Sequence, residues 1–130
     1  MENKELEQTQ ILIAESESEL LVLFREYLSS LGMKTQTASS GQEAVEYFLE
    51  GQKNERPYDA IVVDTHLSHP SGLDVAKRIR SEKPDHKLVL VTTTPKENLQ
   101  PECLKTAGIM DRNILTMPFR MSILASVLKN

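Results

Sequence analysis

Side chains able to do chemistry recur at one kind of place in this chain, directly after short apolar runs. ILIA (11–14) is followed by Glu15 and Ser16, and YDAIVVD (58–64) ends on Asp64. LVLVT (88–92) ends on Thr92 with Thr93 and Thr94 behind it, and NILT (113–116) runs into Met117, Pro118 and Phe119. His66 and His69 follow Asp64 closely, and Asp-x-His-x-x-His together with Glu15 is a donor set that a transition metal would accept. Loop histidines without a third spaced ligand are ordinarily bystanders, and that reading is preferred here. No GxGxxG or GxxxxGK[ST] provides a phosphate cradle, and no G-x-S-x-G provides a nucleophile elbow, so nucleotide binding and serine hydrolysis have no support. The acidic ESESE (15–19) would repel a flavin phosphate.

These residues need elements to position them. ILIA is a buried strand by length and β-branching. Leu20, Leu21, Phe24, Tyr27, Leu28 and Leu31 recur at helical spacing over 18–31, and Gly32 closes that helix. Met33 to Ala38 reads as a more polar strand near an edge. A helix follows with Ser39 or Ser40 as its cap, Glu43 in its first turn and Gly51 at its close. YDAIVVD is the clearest strand. Leu73, Val75, Ala76 and Ile79 give the next helix, stopped by Pro84. Leu88 to Thr92 is a fourth strand, a helix is expected around 98–106, Asn113 to Thr116 is a fifth strand, and 120–128 is a last short helix. Cys103 falls on the apolar stripe of the fourth helix and reads as core.

Five strand-then-helix repeats with near-continuous apolar strands imply an α/β fold: a five-stranded parallel sheet covered on both faces, in three layers. In such a sheet, ligands bind at the carboxyl ends of the strands beside a topological switch point, where Glu15, Asp64, Thr92 and Met117 fall.

The bulk properties agree. With 130 residues, 39% hydrophobic and 26% charged, the chain suits one globular unit. Residues 10–130 are read as that unit and the acidic stretch 1–9 as a frayed tail. No window approaches the ~18 apolar residues of a membrane span, no signal core opens the chain, and the single cysteine allows no internal disulfide. A cytoplasmic protein is expected. Residues 1–65 carry 13 acids and 5 bases, whereas residues 66–130 carry 6 acids and 10 bases. Lys77, Arg78, Arg80 and Lys83 supply much of the basic half. Without interleaved aromatics they read as a solvated helix face and not as a nucleic-acid surface.

Taken together, ILIAESESELLVLFREYLSSLGM, YDAIVVDTHLSHPSGLDVAKRIR, LVLVTT and ILTMPF resemble, in order and spacing, the receiver domain of two-component response regulators, which is flavodoxin-like in architecture. The likeness covers about residues 10 to 128. It implies that Asp64 accepts a phosphoryl group from a histidine kinase or phosphotransfer protein, and that Thr92 is the switch hydroxyl. It implies weak Mg²⁺ binding by Glu15, Asp64 and the main-chain carbonyl of His66, and a cis peptide at Met117-Pro118. At most, slow self-phosphorylation and autodephosphorylation are expected, not true enzyme turnover. A downstream protein would be met through residues 97–128, with no direct nucleic-acid or membrane contact.

Several positions depart from the family pattern. Glu15-Ser16 stands for its acid pair, Met117 for its lysine, Ile114 for a frequent aromatic and Ser68 for a loop proline, while the run from Gly108 to Ile114 is longer than usual. Two carboxylates without a lysine leave the same formal charge as three with one, so a divalent cation is not repelled. Phosphoryl transfer loses more, because the Met117 side chain donates no hydrogen bond. Lys96 is a candidate substitute. The alternative is a pseudo-receiver, the same fold serving as a phosphorylation-independent interaction module.

Overall fold

Each of the five expected strands forms: β1 (Gln10–Ala14), β2 (Lys34–Ala38), β3 (Ala60–Asp64), β4 (Lys87–Thr92) and β5 (Ile114–Thr116). The computed structural model of the protein describes residues 9–99 and 101–129, with Lys96, Cys103 and Thr106 described in the backbone alone. The expected tail over 1–9 falls outside them except for Thr9, and so do the side chains of Lys96 and Cys103.

The strands pair in the order β2-β1-β3-β4-β5, and every neighbouring pair is parallel. β3 is buried along its whole length, whereas the edge strand β2, KTQTA, is half-exposed as its polarity requires. The helices are α1 (Ser18–Ser30), α2 (Gly41–Lys53), α3 (Gly72–Glu82), α4 (Pro101–Ala107) and α5 (Met121–Lys129).

Successive strand residues face opposite sides of the sheet, and two cores result. Leu12, Ile61, Val63 and Leu90 pack with Phe48 of α2 and Val75 and Ile79 of α3. Ile13, Val62 and Val89 pack with Phe24 and Leu28 of α1 and Leu124 of α5. Phe24 and Phe48 are fully buried, each contributing about 1.5–3 kcal/mol through removal from water. This is the three-layer α/β/α arrangement that the apolar pattern implies, and the flavodoxin-like architecture that the resemblance implies.

Some elements differ from the sequence reading. Gly51 does not close α2, which runs on to Lys53 and ends at Asn54, with Glu55 taking the positive φ of 58°. The helix expected over 98–106 divides into a 3₁₀ turn at Lys96–Asn98 and α4, because Pro101 starts a helix more readily than it continues one. A second 3₁₀ turn, Asp111–Asn113, absorbs the long connection and shortens β5 to three residues.

Arg80 is not part of a solvated face. Its guanidinium donates to the carbonyls of Ala107, Pro84, His86 and Gly108, bracketing the end of α3 to the end of α4. His86, which carries no signal in the sequence, is buried, with its ring nitrogens 3.0 Å from the Lys87 carbonyl and 2.8 Å from that of Tyr58, and its ring edge on Phe48. Among the described residues no helix is long and apolar enough to cross a membrane.

Candidate functional site

The sheet order reverses direction between β1 and β3, which opens a crevice at their carboxyl ends. Ala14 pairs with Val63, so Glu15 leaves β1 beside the last residue of β3, Asp64. Asp64 in turn pairs with Val91, which sets the next residues, Thr65 and Thr92, side by side. A cavity of about 250 Å³ results, lined by Glu15, Ser16, Asp64, His66, Thr92 and Met117 among others. A larger cavity of about 640 Å³ lies at the opposite end of the strands, beside Arg80, Lys87 and Arg112. Its size exceeds that of the acid pocket, but the paired carboxylates are not there.

Asp64 is only 6% exposed. Its Oδ1 accepts a 3.1 Å hydrogen bond from the His66 N–H, and its Oδ2 accepts one of 3.4 Å from the Ser16 hydroxyl. Gly72 opens α3 against this turn, where a Cβ would overlap the Asp64 carbonyl oxygen. That close approach explains the glycine eight positions after the acid. Glu15 is 2% exposed; its Oε2 accepts from the Glu17 N–H at 3.0 Å, while Oε1 is buried with no partner. Burial, then the adjoining Asp64 carboxyl, push the Glu15 carboxyl up to about 8, against the pull of the Glu17 N–H. Two buried acids adjoin each other there.

Thr92, at the end of β4, is 0% exposed. Its Oγ1 accepts 2.9 Å hydrogen bonds from the Thr65 hydroxyl and from the Thr94 N–H. Beside this pair, His66 Nε2 and Thr93 Oγ1 are 2.7 Å apart. The loops after β3 and β4 are therefore joined twice, side chain to side chain. Met117 hydrogen-bonds through its backbone N–H to the Thr92 carbonyl at 2.7 Å. Its side chain packs into the α1/α5 core, where Phe119 stacks on Phe24. The Met117-Pro118 peptide is cis, as the resemblance implies, and so is His69-Pro70, which was not foreseen.

The residues present fit a hard divalent cation. Glu15 Oε1 is an orphaned buried oxygen, a second carboxylate adjoins it, and oxygen donors are what Mg²⁺ takes. They do not fit a transition-metal set. His69 turns away into a groove with Glu46, Pro70 and Arg78, and among the described residues no three His, Cys, Asp or Glu side chains are grouped to hold a metal.

Glu15, Asp64, Thr92, Met117 and His66 are thus gathered into one pocket; His69 and Ile114, which is buried in the α2/α3 core, are not. Sequence reasoning gave Thr65 no role, and it named Thr93 and the His66 ring without the contact between them. The available signal was register: if Asp64 and Thr92 both end strands, the residue after Asp64 lies near the second hydroxyl.

A family profile described as "Response regulator receiver domain" matches residues 11–129. Among curated proteins, the chain is similar to a two-component response regulator 24 from Arabidopsis thaliana, 29% identical over 82% of this chain and 71% of that protein. It is also similar to the transcriptional regulatory protein RprY of Bacteroides fragilis, 25% identical over 88% of this chain and 45% of that protein. The chain thus spans less than half the length of the second relative. Among solved structures, the response regulator protein TrrA from Thermotoga maritima, in complex with Mg²⁺-BeF, superposes with a TM-score of 0.77 at 28% identity, covering 93% of this chain and 96% of that one.

Proposed function

The chain belongs to the response regulator receiver domain family of two-component signalling, and on that premise we propose that Asp64 accepts a phosphoryl group and that the protein signals the change to a partner. Receiver domains of this family exchange phosphoryl groups with histidine kinases and phosphotransfer proteins. The observation that carries the reading is the convergence of Asp64, Glu15 and Thr92 in one cavity at the carboxyl ends of β3, β1 and β4.

In the transfer, an Asp64 carboxylate oxygen attacks phosphorus, the bond from phosphorus to the donor's imidazole nitrogen breaks, and that nitrogen keeps the electron pair. Asp64 Oδ1 is already oriented by the His66 N–H and Oδ2 by Ser16. Thr92 offers a hydroxyl to a phosphoryl oxygen. Glu15, Asp64 and the His66 main-chain carbonyl would hold Mg²⁺, which when bound supplies the positive charge that phosphoryl oxygens need. Met117 offers neither charge nor donor, so the rate is low. The phosphorylated protein would present residues 97–128, the span of α4, β5 and α5, to a downstream protein.

Incubation with acetyl phosphate and Mg²⁺ followed by intact mass measurement tests this. A mass gain of one phosphoryl group, absent in Asp64→Asn, is expected; no gain in the unmodified protein contradicts it. A second reading, a pseudo-receiver acting without phosphorylation, is favoured by the half-buried Met117 side chain packing against the α1/α5 core and by a neutral hydroxyl, Ser16, against Asp64.

A further inference from the structure

Thr65 has no role in the transfer chemistry just described, yet its side chain makes a specific contact at the site. A hydroxyl has one hydrogen and two lone pairs. Both lone pairs of the Thr92 hydroxyl are engaged, one by the Thr65 hydroxyl and one by the Thr94 N–H, each at 2.9 Å. The Thr92 hydrogen then has one tetrahedral direction left, and among the described residues it has no acceptor there. Thr92 is fully buried in a wall of the cavity that holds Asp64. The tie is rigid at both ends. Thr65 N–H continues the β3–β4 ladder by donating to the Val91 carbonyl at 3.0 Å, and the neighbouring His66–Thr93 contact at 2.7 Å joins the same two loops.

We propose that Thr65 is a positioning residue: by donating to the Thr92 oxygen it fixes the Thr92 hydroxyl as a donor toward a phosphoryl group on Asp64, supplying part of what is lost where Met117 replaces a cation. This rests on the reading of Asp64 as acceptor. Two donors on one hydroxyl oxygen also polarise it and strengthen the bond it gives. The residue after the acceptor thereby acts through the switch hydroxyl and not on the phosphorus.

Thr65→Val keeps the side-chain shape and removes the donor; Thr65→Ser keeps the donor. Two quantities are read in each variant: the Thr92 χ1 distribution in the free protein, from three-bond couplings to its methyl group, and beryllofluoride affinity with Mg²⁺ present, from amide shifts. A single Thr92 rotamer in the unmodified protein, averaging in Thr65→Val, about fivefold weaker beryllofluoride binding there, and return of both in Thr65→Ser are expected. An unchanged Thr92 rotamer in Thr65→Val, or no return in Thr65→Ser, overturns the proposal. Equal beryllofluoride affinity in Thr65→Val overturns it while leaving Asp64 as acceptor. Failure of the unmodified protein to bind beryllofluoride overturns the acceptor reading and takes the proposal with it.

Discussion

Residue by residue, the site turns on the balance of charge around two buried acids, Glu15 and Asp64. Glu15 is buried beside Asp64 with one oxygen unpartnered, and its carboxyl is pushed up to about 8 from 4.5. A raised carboxyl favours the protonated folded state, so its stabilising contribution is full below 4.5 and is lost as pH rises through about 8. Urea unfolding midpoints should therefore fall across that window, and Glu15→Gln should flatten the slope. An unchanged slope in the variant would mean that the strain lies elsewhere. Met117→Lys should place a cation beside the same acids and raise acetyl-phosphate labelling of Asp64 by about 10²-fold, the usual worth of one such group; an unaltered rate would show that position 117 is not what limits transfer. Glu15, Asp64 and Thr92 were legible because each ends an apolar run. Thr65 and the ring of His66 were not, because their partners, Thr92 and Thr93, are 27 residues away and meet them only through strand register.

The elements hold that balance in place. β3 is specified by AIVVD, a near-continuous apolar run that buries on both faces as a central parallel strand must. The strands were legible for this reason, and so were α1 and α3, whose stripes have a clear helical period. The region after β4 was harder: Pro101 and the run to Asn113 break periodicity, so a helix read as continuous is a turn, a short helix and a second turn. What anchors this segment is Arg80, through four carbonyls spanning Pro84 to Gly108. Its charge was visible in the sequence, but its docking on the carbonyls at the helix ends was not. Arg80→Met should cost about 1–3 kcal/mol, since several carbonyls lose a charged donor together. Arg78→Met, which loses a 3.5 Å pair with Glu82 on an exposed face, should cost under about 1 kcal/mol. Equal midpoints for the two variants in thermal unfolding would deny Arg80 its bracketing role.

At the scale of the whole molecule, an acidic amino-terminal half supplies Glu15 and Asp64, and a basic second half supplies Thr92 and the α4–β5–α5 side. The parallel sheet brings the two together; its parallel, doubly covered form was implied by the repeat of strand and helix, whereas its order β2-β1-β3-β4-β5 is read from the structure. The central claim is that this pocket still responds to a phosphoryl group without a lysine at 117. Backbone amide NMR of the intact chain, titrated with Mg²⁺ and then with beryllofluoride, tests it most directly. Shifts at Glu15, Asp64 and Thr92 that spread into residues 97–117 are the predicted result; no shifts at millimolar concentrations of both would contradict the acceptor account and leave a constitutive binding module.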